Sequence, residues 1–184
     1  IVTTSARMKQ LVSDKTTPRN RDEREIMGYR DVLNTIHESH AFIPLRPAYI
    51  LQLHRDLLKR TGLSYGGSFK NIQNYINETR PDGSQVTRFT PVAPHETPAA
   101  IEAICSSYAR ALALEVIDPL ILIPAFICDF LCIHPFNDGN GRMSKAVIAG
   151  EAAFLACRAD VDYPATDKLC LHLHEELLWN DRSV

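Results

Sequence analysis

Apolar residues recur at helical spacing along most of the chain. Ile26, Tyr29, Leu33 and Ile36 step by three and four and predict a helix over about Asp22–Glu38, with Asn20 or Asp22 at its start. Ile50, Leu53 and Leu57 do the same inside Pro47–Arg60, and Gly62 supplies the stop. Thr97-Pro98 and Asp118-Pro119 share one grammar, a capping side chain and then a proline in the first turn. They open helices toward Leu114 and His134. Two more helices are expected, from Asn140 to about Ala156 and from about Asp167 to Trp179. The stretch from Gly66 to Pro94 breaks this pattern. Ile72–Ile76 and Val86–Thr90 are short β-type runs on either side of Pro81-Asp82-Gly83. That tripeptide is a turn signal, because proline fixes φ and glycine tolerates positive φ. The expected fold class is mainly α with one β-hairpin.

Composition narrows the setting. The chain has 184 residues, enough for one domain with a small appendage, and a formal net charge of −2. No field strong enough to recruit nucleic acid or an anionic membrane follows from that charge. The longest apolar run, Pro119 to Ile133, spans fifteen residues including Pro124 and Asp129. It is short for a membrane span and suits a core helix. The five cysteines, Cys105, Cys128, Cys132, Cys157 and Cys170, are odd in number and form no CxxC pair. They read as buried thiols in a reducing, cytoplasmic compartment. His172 and His174 are two residues apart and cannot share a helix face, and His54 and His95 have no evident partner.

One joint between two expected helices is chemically dense: His134-Pro135-Phe136-Asn137-Asp138-Gly139-Asn140-Gly141-Arg142. Gly139 and Gly141 let the backbone turn tightly and approach a ligand. The helix starting near Asn140 presents N–H groups without intrahelical partners at the positive end of its dipole, a natural anion site. Arg142 adds a permanent forked cation where the helix alone disfavours one. Asp138 is a hard oxygen ligand beside that site, suited to Mg²⁺ held jointly with phosphates. His134 is a suitable base for a hydroxyl near neutral pH. Each residue alone has an ordinary reading, as helix cap, turn or solvated cation. Together they predict phosphoryl or nucleotidyl transfer.

The segment resembles the signature of the Fic family, H-x-F-x-[D/E]-G-N-G-R-x-x-R, and matches every fixed position up to Arg142. The resemblance covers about residues 1–160 as a Fic-like catalytic domain, a helical bundle with a hairpin flap, and leaves 161–184 as a C-terminal helical extension. It implies protein adenylylation, the transfer of AMP from ATP to a Tyr, Thr or Ser hydroxyl with release of pyrophosphate. His134 would be the base, Phe136 the anchor of the loop and Asp138 the Mg²⁺ ligand. Asn137, Asp138, Gly139, Asn140, Gly141, Arg142 and Lys145 would hold the nucleotide. The flap, with Asn74, Tyr75 and Ile76, would hold the target by strand-like pairing. The implied partner is a hydroxyl-bearing protein, with self-modification and a homodimer left open, and with neither a membrane nor direct nucleic-acid contact.

Two departures stand out. The family's last arginine is Lys145 here, which keeps the charge but loses bidentate geometry. The pattern [S/T]-x-x-x-E-[G/N] of the family's inhibitory helix does not occur. Ile1-Val2-Thr3-Thr4 looks like the segment that follows such a helix, so the expectation is a piece cut from a longer, N-terminally inhibited protein. Two rivals accompany this reading. One is a Doc-like protein kinase or transfer of another nucleotide, against which Gly141 argues. The other is a catalytically silent regulatory module, which Lys145 favours.

Overall fold

The computed structural model describes residues 4–13, 15–39, 42–115 and 117–158. They form α1 (Ser5–Val12), α2 (Arg21–Ser39), α3 (Pro47–Leu58), β1 (Ile76–Thr79), β2 (Gln85–Phe89), α4 (Thr97–Leu114), α5 (Pro119–Ile133) and α6 (Asn140–Arg158). The mainly α class with one hairpin is thus as expected. The expected helix over Asp167–Trp179, the extension 161–184, and Cys170, His172, His174 and Trp179 lie outside the described residues. Among the described residues no helix is long and apolar enough to cross a membrane.

Helix α5 is the spine. Leu122, Ile123, Phe126, Ile127, Phe130 and Ile133 recur at three- and four-residue steps and are all buried. Around them pack Val32 and Ile36 of α2, Ile50, Leu53, Leu57 and Leu58 of α3, Ile101, Cys105 and Tyr108 of α4, and Met143, Ala146 and Val147 of α6. In α2 the buried stripe runs through Ile26, Val32 and Ile36, while Tyr29 and Leu33 are half-buried. The stripe is rotated from the expected one because Gly28 faces α3. A Cβ there would lie 2.1 Å from the Leu57 carbonyl oxygen, so the two backbones touch where a side chain would separate them.

Several local expectations need correction. The first hairpin strand begins at Ile76 rather than Ile72, and Ile72 is 69% exposed. Residues ahead of Ile76 are laced to another loop (below) and cannot join the ladder. The turn is as expected: Gly83 has φ +81 and donates to Arg80 O at 2.9 Å. Asn20, not Asp22, caps α2, accepting the Glu23 N–H at 2.9 Å. Thr97 does not cap α4. Helical bonding starts a turn earlier, and the Thr97 hydroxyl and N–H both donate back to Ala93 O. Cys105 is buried, its thiol pushed up to about 12 by burial, but Cys128 and Cys132 are exposed. The α5 face that carries them also carries Ile121 and Leu131, because α5 is apolar almost throughout, Asp129 apart, and only part of its circumference is covered.

Helix α1 is not among the elements the sequence predicts. Arg7 holds it to α2 through two bonds of 3.0 Å to the Glu23 carboxylate, which also accepts the Arg19 N–H at 2.7 Å. These bonds hold the Glu23 carboxyl down at about 2.

Candidate active site

Helix α5 ends at a left-handed residue that is not glycine. His134 has φ +53, and its N–H closes the helix on Phe130 O at 2.9 Å. That conformation costs on the order of 1 kcal/mol in an L-residue, so its surroundings must impose it. Pro135 forbids another helical turn. The chain just ahead of the hairpin supplies the rest. Lys70 donates its N–H to Pro135 O at 2.8 Å and its buried ammonium to Ile133 O at 2.9 Å. Asn74 donates to Phe136 O at 2.9 Å, and Asn137 to the Asn71 side chain at 3.0 Å. Residues 70–74 therefore strap the 133–137 loop, and the hairpin and the loop share one base.

Phe136 is fully buried and stacks on His54, ring centres 3.7 Å apart and 13° from parallel. His54 fixes the loop from below. Its Nδ1 accepts the Gly67 N–H at 3.1 Å, so the proton sits on Nε2, which donates to Asp138 O at 3.0 Å. Burial, opposed by the bond to the Asp138 backbone, pulls this ring down to about 4, and it stays neutral. His54 has no evident partner in the sequence. Spacing could not reveal one, since its partners lie 13 and 84 residues away.

Asn140 is also spent on the loop. Its buried amide accepts the Phe136 N–H at 2.9 Å and donates to Phe136 O at 2.8 Å. Its backbone, not its side chain, is left for a ligand. Gly139 takes φ +85, and a Cβ would meet Leu57 Cδ2 at 3.2 Å. Gly141 is exposed, and an added Cβ would meet no atom within 4 Å, so the tip of α6 opens outward there. The first bond of α6 runs from Met143 N–H to Gly139 O at 2.8 Å. The N–H groups of the first turn precede it, as an anion cradle requires.

Four charges close a ring at this tip. Arg142 donates through Nη2 to Asp138 Oδ1 at 3.0 Å and through Nη1 to Glu25 Oε2 at 2.9 Å. Arg21 donates through Nε to Glu25 Oε1 at 2.9 Å and through Nη2 to Asp138 Oδ2 at 3.2 Å. Asp138 Oδ1 also accepts the Gly139 N–H at 2.6 Å. Lys145 lies about one helical turn beyond Arg142 and is half-buried.

His134 is half-buried. Burial lowers its pKa from the ordinary value, a hydrogen bond to the Leu131 backbone raises it, and the Lys70 charge lowers it further. The net direction is down, so the ring is neutral at pH 7. A ring nitrogen that donates to a backbone carbonyl leaves the other as acceptor, the form a general base needs.

Among the described residues no three His, Cys, Asp or Glu side chains gather as a metal cage. Asp138 alone, one third exposed, fits an ion that takes one carboxylate and fills its shell with phosphates and water, as Mg²⁺ does. Of the flap residues, Asn74 faces the loop, whereas Tyr75 is 58% and Ile76 37% exposed. Among the described residues Ile76 pairs with Phe89 in a sheet of two strands, and each strand keeps an unpaired edge there.

These features define a helical domain whose histidine-and-glycine loop joins two core helices beside a β-hairpin. The Fic/DOC family model matches residues 44–150, and the chain belongs to that family. Solved structures agree on the fold. A Fic-domain-containing signaling protein from Bacteroides thetaiotaomicron superposes with a TM-score of 0.70 at 23% identity, over 83% of this chain and 57% of that one. A fragment of Fic-1 from C. elegans gives 0.65 at 17%, over 84% and 44%. A Fic family protein from Desulfovibrio desulfuricans gives 0.64 at 16%, over 85% and 43%. The chain thus spans about half the length of these structures. No curated protein matches the sequence.

Proposed function

We propose that this domain is a protein adenylyltransferase that moves AMP from ATP to a hydroxyl side chain of another protein. The observation that carries the reading is the joint itself: a neutral, half-buried His134 ends α5, and seven residues later the tip of α6 opens at Gly141 beside Arg142 and Asp138. Phosphates on the first-turn N–H groups of α6 would meet the helix dipole and the Arg142 guanidinium. Mg²⁺ on Asp138 would supply charge neutralisation to the polyphosphate. The free nitrogen of His134 takes the proton of the target hydroxyl. That oxygen bonds to the α-phosphorus, the bond from the α-phosphorus to the bridging oxygen breaks, and pyrophosphate leaves. The barrier falls mainly through positioning and charge stabilisation. The exposed edge at Tyr75 and Ile76 supports strand-like capture of the target.

Incubation with α-labelled or γ-labelled ATP and Mg²⁺ tests the proposal. Only the α label stays on protein in AMP transfer, and His134→Ala abolishes it. Retention of the γ label would establish phosphoryl transfer instead. Equal silence of both forms, self-labelling included, would make the domain a regulatory module.

A further inference from the structure

Arg142 sits where a helix gives it no support, in the first turn beside a positive dipole. Something must hold it there. Asp138 does so from one residue before Gly139, but the second support comes from another helix, 117 residues away in sequence. Glu25 is nearly buried, its side chain 10% exposed, and each of its oxygens holds a different arginine. One carboxylate on each Nη fixes the plane of the Arg142 guanidinium. Of its five N–H donors, the three not used in these bonds remain for a ligand. The quartet of two arginines and two carboxylates is neutral as a set. A guanidinium already ordered in this way does not lose side-chain freedom when an anion arrives.

We propose that Glu25 is a positioning residue that holds Arg142 in register for the phosphate beyond the α-phosphate of a bound nucleotide, with Arg21 bracing Glu25 from the opposite side. The proposal rests on the nucleotide reading above. It competes with a simple opposing effect: a carboxylate near a polyphosphate repels it. The two effects act in opposite directions on affinity, which makes them separable.

The test is calorimetric titration of the whole chain with ADP and with AMP, both with Mg²⁺. AMP lacks the β-phosphate and serves as the internal control. Glu25→Gln keeps the size of the side chain but removes its charge, and its amide nitrogen no longer accepts from one of the two arginines. It should weaken ADP roughly tenfold, the scale of a lost charge-assisted bond, and leave AMP unchanged. Combined with Arg142→Met, it should add little further loss, because the two residues act as one unit. Arg21→Met, at a side chain 56% exposed, tests the same link at the surface and should weaken ADP in the same direction by less. Tighter ADP binding by Glu25→Gln would make Glu25 a competitor and overturn the proposal. Equal losses for ADP and AMP, or additive losses in the double variant, would reduce it to structural support and overturn it as well. If the unaltered chain binds ADP and one of these results follows, the positioning role falls alone. If the unaltered chain binds neither nucleotide, both readings fall.

Discussion

Acidification should weaken the domain through His54 before the carboxylates take over. The ring is fully buried, stacked on Phe136, and held neutral near a pKa of about 4 against about 6.5 in an unfolded chain. Between those values the unfolded chain binds a proton that the folded chain refuses. Stability from this residue is therefore complete above pH 6.5 and declines as the pH falls toward 4. At 1.36 kcal/mol per pH unit the full loss is about 3 kcal/mol, of which about 2 kcal/mol has gone by pH 5. That is a large share of the 5–15 kcal/mol that ordinarily separates folded from unfolded chains. Urea unfolding at pH 7.5, 6.5, 5.5 and 5.0 measures it. His54→Gln isolates it, since glutamine offers a donor and an acceptor but does not titrate, and every other group cancels in the difference. The wild-type curve should fall toward the variant's by about 2 kcal/mol over this range. Parallel curves, or a His54 ring that titrates near 6.5 by NMR, would refute the argument.

Three further outcomes follow from single contacts. Gly28→Ala places a methyl against the Leu57 carbonyl and should cost about 1–3 kcal/mol in urea unfolding, with α2 and α3 forced apart. Lys70→Met removes a positive charge that depresses His134, so the His134 ring should titrate higher by NMR, and the acid limb of any transfer activity should move up with it. An unchanged or lower value would mean the lysine acts as a strap alone. Tyr108→Phe deletes the 2.6 Å bond to the buried Glu151 carboxyl and should cost about 1–3 kcal/mol. Because burial already raises the Glu151 pKa, and Tyr108 partly offsets that, the carboxyl should rise further in the variant.

What could be read in advance was whatever repeats at short range. The i, i+3, i+4 spacing located α2 and α3, the cap-and-proline pairs Thr97-Pro98 and Asp118-Pro119 located α4 and α5, and the expected start at Asn140 placed α6, each within about two residues, while Pro81-Asp82-Gly83 located the turn. Strand limits escaped because a strand needs a partner. Ile72–Ile76 has β-type residues, yet Gln73 and Asn74 spend their side chains on Pro91 O and Phe136 O, so pairing starts only at Ile76. The same limit explains Thr97, whose helix is entered from Ala93, and α1, whose register depends on an arginine gripping a glutamate 16 residues on.

The site divides along the same line. Its ligand-facing half is contiguous, His134 to Arg142, and contiguity made it visible. Its supporting half is scattered: Glu25 on α2, His54 on α3, Lys70 and Asn74 ahead of β1. None of these stands out alone, because a lone glutamate, histidine or lysine has an ordinary surface reading. One signal was present in the motif itself. A histidine followed by proline at the end of a helix, and an arginine in the first turn of the next, are both locally unfavourable. Each is a debt that only distant residues can settle. Asking which carboxylate answers Arg142, and which donor answers the freed carbonyls of α5, would have pointed to the acidic first turns of α2 and to a cation near the hairpin. Local strain in a motif thus predicts that long-range partners exist, though their identity waits on the fold.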